Sequence, residues 1–135
     1  MRRLILLLVL LAAFISCSPN DDTPRFHLEL VPAVSVEMPD SFELGGVYTI
    51  TVWYNRPTTC HFPDGFYYES NLNERTFAVQ NIVEEKSGCT DLTEELISDT
   101  FNFKVLSNGS YVFKFWTGVD SEGANTFIER EIPVY

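Results

Sequence analysis

The sequence predicts an all-β sandwich, on three observations. From Phe26 onward, short runs rich in Val, Ile, Thr, Tyr, Phe and Trp recur between turn residues, with hardly a helical stripe among them. Of the 135 residues, 45% are hydrophobic and 14% aromatic, enough to fill one core in a chain too short for two ordinary domains. With 21% charged residues and near-zero mean hydropathy, the composition is neither that of a disordered chain nor that of a polytopic membrane protein.

Phe26, Leu28 and Leu30 alternate with His27 and Glu29, and after Pro32 the alternation resumes at Val34, Val36 and Met38. Proline cannot donate a ladder hydrogen bond, so Pro32 predicts an edge strand broken in two and switching sheets. Gly45-Gly46 opens a second run with Tyr48, Ile50, Val52 and Tyr54 on one face and Thr49, Thr51 and Trp53 on the other; it stops at Pro57. A third run, Cys60 to Tyr68, carries a turn or bulge signal at Pro63-Asp64-Gly65. Arg75 to Glu84 makes a fourth.

Asp91 to Ser98 breaks the pattern: Asp91 and Glu94 have capping-box spacing, which allows a helical turn, and an irregular acidic loop fits equally. Thr100 to Leu106 is the fifth run. Tyr111 to Thr117 and Thr126 to Val134 flank Asp120-Ser121-Glu122-Gly123 as a closing hairpin. Arg130 falls on the apolar side of the last strand and must snorkel or pair. Ser107-Asn108-Gly109-Ser110 suits either a tight hairpin or a crossing between sheets followed by a corner Tyr, the place of Tyr111.

The pattern from Phe26 to Tyr135 resembles the immunoglobulin-like domains of bacterial surface proteins. The resemblance implies an antiparallel immunoglobulin-like sandwich of about seven strands spanning residues 26–135.

The amino end reads differently. Arg2 and Arg3 precede an uninterrupted apolar run from Leu4 to Ile15. A membrane-spanning helix needs about 20 such residues, so residues 1–16 read as a cleaved signal peptide. Phe14, Ile15, Ser16 and Cys17 resemble the lipobox of bacterial lipoproteins: a large apolar residue, usually Leu, then a small or apolar residue, then Gly, Ala or Ser, then Cys. The resemblance implies cleavage before Cys17, diacylglycerol on its sulfur and an acyl chain on its amine. Two or three chains, at roughly 0.8 kcal/mol per buried methylene, hold a protein stably where one does not.

Residues 17–25 read as an extended acidic tether. Its Asp21-Asp22 resembles the acidic signal of Bacteroidetes lipoproteins bound for the outer face of the outer membrane, which implies a cell-surface position in preference to the periplasmic face.

The formal charge of the whole chain is −10. Removing Arg2 and Arg3 leaves 7 basic against 19 acidic residues, hence −12. Such a surface repels nucleic-acid phosphates and anionic headgroups, so nucleic acid is not an expected partner and attachment to the membrane falls to the lipid.

With Cys17 assigned to lipid, Cys60 and Cys89 are expected to pair in the oxidising exported compartment. They lie 29 positions apart, without the spacing of the disulfide that pins antibody sheets, so the bond is expected to fasten its own region and not the sandwich centre. His27 and His61 are the only histidines. Copper would need both near a free Cys, calcium a loop of alternating oxygens that the acidic groups Asp91, Glu94, Glu95, Asp99 and Asp120, Glu122 do not supply, and hydrolysis a nucleophile turn that is missing. No metal, cofactor or catalysis is expected.

The expected role is that of a lipid-anchored, non-catalytic module that binds or adheres to a protein or glycan. Trp53 and Trp116, each on the less apolar side of its strand, are the candidate contact residues. An alternative comes from Asn55-Arg56-Pro57-Thr58-Thr59-Cys60-His61-Phe62, which resembles the Asn-Pro-Thr-Thr-Gly-aromatic loop of chagasin-type inhibitors. Pro57, Thr58 and Thr59 match, Arg56 is inserted and Cys60 replaces the Gly. That resemblance implies inhibition of papain-like cysteine peptidases.

Overall fold

The structure, a computed structural model, describes residues 22–135. The expected signal peptide, the expected lipidation site Cys17 and the part of the expected tether up to Asp21 lie outside the described residues. The rest is all β, in two sheets. Eight strands follow in order: β1 (Arg25–Val31), β2 (Ala33–Glu37), β3 (Val47–Asn55), β4 (His61–Asn71), β5 (Glu74–Glu85), β6 (Leu96–Lys104), β7 (Gly109–Val119) and β8 (Asn125–Val134).

The chain changes sheet at Pro32: β1 pairs with β5, whereas β2 pairs with β3. The smaller sheet runs β2-β3-β6; the larger runs β1-β5-β7-β8, with β4 also on β5. Every pairing is antiparallel except one, the parallel contact of β5 with β7 from Glu74 to Phe77. Beyond Phe77, β5 exchanges β7 for β1, which joins it at Val79.

The sandwich therefore has eight strands where the sequence pattern counts about seven, because Pro32 splits the first run into strands of different sheets. The parallel contact is the second departure from the expected antiparallel pattern. Pro63-Asp64-Gly65 makes a bulge inside β4, not its end, and Leu72-Asn73, with Leu72 at φ 53°, turns β4 tightly back into β5. No helical turn forms after Asp91: residues 92–95 are irregular and β6 starts at Leu96.

Alternation sends Ile50, Val52 and Tyr54 of β3 inward against Phe77 and Val79 of β5 and Tyr111, Phe113 and Phe115 of β7. Aromatic pairs join the sheets: Phe77 stacks on Phe101 at 4.3 Å between centroids, and Phe103 meets Phe113 edge-on at 5.0 Å. Burying each such ring stabilises by roughly 1.5–3 kcal/mol.

Where β6 crosses to β7, the Tyr111 hydroxyl accepts the backbone N–H groups of Leu106 and Ser107 at 3.1 and 3.0 Å and meets the Ser107 hydroxyl at 2.8 Å. This is a tyrosine corner, and it resolves the 107–110 segment as a sheet crossing. Burial pushes the Tyr111 pKa up, but the Ser107 hydroxyl and the two backbone donors outweigh it, and the net shift is downward.

Candidate binding surface

The outer face of the larger sheet carries an exposed apolar stripe along β1. Phe26, Leu28 and Leu30, the apolar face of β1, do not enter the core: they point outward and are 51%, 59% and 41% exposed. Their cross-strand partners are Glu84, Ile82 and Gln80, and Phe62 on β4 flanks Ile82 from the other side. The polar face of β1 turns inward instead.

Next to this stripe, where β5 exchanges β7 for β1, a groove of about 270 Å³ opens. Leu30 and Ala78 form its aliphatic part, and Tyr67, Trp116 and Phe127 its aromatic walls. Glu69, Thr76 and Asn125 supply the polar groups. All five strands of the sheet thus contribute.

Two features of β7 and β8 set this geometry. A bulge between Trp116 and Gly118 interrupts the β7/β8 register, and Gly118 sits at φ 111°, where L side chains are strained. The Trp116 indole N–H then donates to Asn125 Oδ1 at 3.0 Å, fixing the ring and leaving the amide nitrogen to donate elsewhere. Opposite, the Tyr67 hydroxyl donates to Glu69 Oε2 at 3.2 Å.

The two candidate tryptophans do not share a surface. Trp116 is half-buried in the groove wall, whereas Trp53 lies between Ser35 and Ser98 on the outer face of the smaller sheet. The groove was only partly visible in the sequence: Trp116 marked it and the closing hairpin sets Phe127 opposite it, but Tyr67 and Glu69 come from β4, whose pairing no local pattern specifies.

A second polar cluster lies at the inward side of β1. Glu29 brings the two histidines together, with Oε1 at 3.4 Å from His61 Nε2 and Oε2 at 3.7 Å from His27 Nε2. His27 Nδ1 is also 3.1 Å from Glu85. His61 is 5% exposed; its Nδ1 lies 2.8 Å from the Thr58 hydroxyl, which itself accepts the Cys60 N–H at 3.1 Å. His61 Nε2 faces Glu29 but is buried without a hydrogen bond of standard geometry. Among the described residues, no group of three or more His, Cys, Asp or Glu is placed to hold a metal ion.

Deeper still, Tyr54 and Asn81 are fully buried, and the Tyr54 hydroxyl and both polar atoms of the Asn81 amide lack a hydrogen bond of standard geometry. Burial raises the Tyr54 pKa and Asp99 adds to the rise, while Arg56 and the approaching Asn81 amide pull it partly back.

Cys60 and Cys89 form the expected disulfide, with Cα atoms 5.5 Å apart. The Asn55 to Phe62 segment is knitted into its surroundings. Arg56 donates to the carbonyls of His61 and Thr59 at 2.7 and 2.9 Å and lies 3.7 Å from Glu95; the Thr59 hydroxyl accepts from Thr90 N–H at 3.0 Å. Thr58 and Thr59 therefore spend their hydroxyls internally. Asp91, Glu94 and Glu95 are exposed, and Asp120 caps the β7/β8 turn by accepting the N–H groups of Glu122 and Ala124.

No protein family, curated protein or solved structure matches the chain.

Proposed function

We propose that the protein is a lipid-anchored module of the bacterial cell envelope, displayed at the cell surface, that binds a protein or glycan without catalysis. The observation that carries the binding half is the exposed apolar stripe on the outer face of the larger sheet, with the aromatic groove beside it. A monomer that leaves Phe26, Leu28, Leu30 and Phe62 in water on one face loses stabilisation it could have had inside, and contiguous patches of this kind mark interaction sites. The anchoring half rests on Cys17 and its preceding apolar run.

The two halves are coherent in space. β1 begins at Arg25, eight residues after Cys17, so a fully extended tether reaches at most about 29 Å. The sandwich is thereby held close to its bilayer while its acidic surface is pushed away from anionic lipid. The peptidase-inhibitor reading receives no comparable support, because the Pro57-Thr58-Thr59 segment uses its polar groups to hold its own loop.

Fractionation of cells tests the anchor. The unaltered chain is expected in the membrane fraction and the Cys17→Ala variant in the soluble exported fraction; a variant that still sediments with membranes contradicts the proposal.

A further inference from the structure

The groove between Trp116, Phe127 and Tyr67 carries more than a general capacity for contact. Its volume, about 270 Å³, falls just under the range of roughly 300–1,000 Å³ typical of drug-sized sites, so it suits one small ring and not a folded segment. Its lining joins aromatic and aliphatic walls to three hydrogen-bonding side chains, Glu69, Thr76 and Asn125.

Charge narrows the ligand. The single charged side chain of the lining is a carboxylate, no Lys or Arg accompanies it, and the chain is strongly acidic. Anionic ligands are therefore disfavoured. A purely apolar occupant would strip water from the carboxylate, the amide and the hydroxyl without replacing their hydrogen bonds, which costs free energy for each. A quaternary ammonium would satisfy the rings and Glu69, but would leave the amide and hydroxyl unpaired.

A pyranose meets all the conditions. One face of the ring presents C–H groups to an aromatic plane, and its edge carries hydroxyls that both donate and accept. The polar groups are held ready for such an edge. Glu69 accepts the Tyr67 hydroxyl through Oε2, which leaves Oε1 to accept a sugar hydroxyl. Asn125 accepts the Trp116 indole through Oδ1, which leaves its NH₂ to donate. The same two bonds fix a ring beside each polar group, so little ordering remains to be done on binding.

We infer that this groove binds one ring of a neutral glycan, with Trp116 as the stacking platform and Glu69 and Asn125 as the hydroxyl-recognising pair. The inference deepens the binding-module reading and rests on it.

The test uses the full mature chain, in a detergent without a sugar headgroup. The probes are the methyl glycosides of glucose, galactose, mannose and N-acetylglucosamine, with tetramethylammonium as the cationic control, read by saturation-transfer NMR and tryptophan fluorescence. At least one glycoside is expected to bind saturably below about 10 mM. Trp116→Ala is expected to weaken that binding at least tenfold and Glu69→Gln severalfold, while Trp53→Ala, on the opposite face, leaves it unchanged. Trp116→Phe, which keeps a ring, retains part of the affinity and guards against a folding defect in Trp116→Ala.

No saturable binding by any glycoside overturns the inference, as does binding unaffected by Trp116→Ala. Binding of tetramethylammonium alone overturns the sugar assignment and leaves the binding-module reading standing. Retention of sugar binding in a chain that Cys17→Ala fails to release strikes the anchor and not the groove.

Discussion

Tyr54 shows how much a single buried hydroxyl can reveal. It sits in the core with no hydrogen bond of standard geometry, beside an Asn81 amide in the same condition. Removing a buried polar atom whose one approach, from the Asn81 amide, falls short of a hydrogen bond of standard geometry costs little, so Tyr54→Phe is expected to leave stability at pH 7 unchanged or raised by up to about 1 kcal/mol. Its pKa is raised above 10.0, first by burial and then by Asp99. The stability linked to that proton is present below pH 10 and is lost as pH rises through the folded-state value. Thermal denaturation followed from pH 7 to 11 checks both statements: Tyr54→Phe should lose less stability above pH 10 than the unaltered chain, and an equal loss in the two contradicts the assignment. Tyr111 was legible in sequence as one of two options, since Ser107-Asn108-Gly109-Ser110 suits a tight hairpin as well as a crossing followed by a corner Tyr. His61 was the least legible. Its neighbour Glu29 is 32 positions away and reaches it across β5, a proximity no local pattern encodes.

At the level of strands, a period of two distinguishes two faces without saying which one turns inward. β1 is the instructive case: Phe26, Leu28 and Leu30 alternate as a core strand would, yet their face is the outer one, and His27 and Glu29 turn toward His61 instead. Pro32, by contrast, could be read directly, because a missing N–H is a local property wherever the strand lies. The parallel contact of β5 with β7 depends on two strands separated by a disulfide loop and another strand, and sequence carries no sign of it. The Cys60–Cys89 bond was legible, and its energetic role follows from the chain it closes. A link spanning 29 positions contributes roughly 3–4 kcal/mol in the chain-entropy treatment, an account that is model-dependent. Replacing both cysteines by Ala is therefore expected to lower unfolding stability by about that amount in urea titration, with the far-UV spectrum of the sandwich retained. A loss below about 1 kcal/mol would mean that Arg56 and the Thr58 and Thr59 bonds already hold the segment without the bond.

As a whole, the proposed function separates attachment from recognition. The core, built from aromatic pairs across two sheets, leaves an apolar stripe of β1 exposed on the outer face of the larger sheet, with the groove beside it. A chain this acidic does not hold itself to a bilayer by charge, and among the described residues no helix is long and apolar enough to cross one. In the proposed function attachment falls to the amino end, through a short tether between Cys17 and β1. The most direct measurement of that arrangement is the intact mass of the mature protein extracted from membranes. The account predicts a chain beginning at Cys17 and heavier than its amino acids by a diacylglycerol and an acyl group. A mass matching unmodified Cys17, or a chain still beginning at Met1, would contradict it.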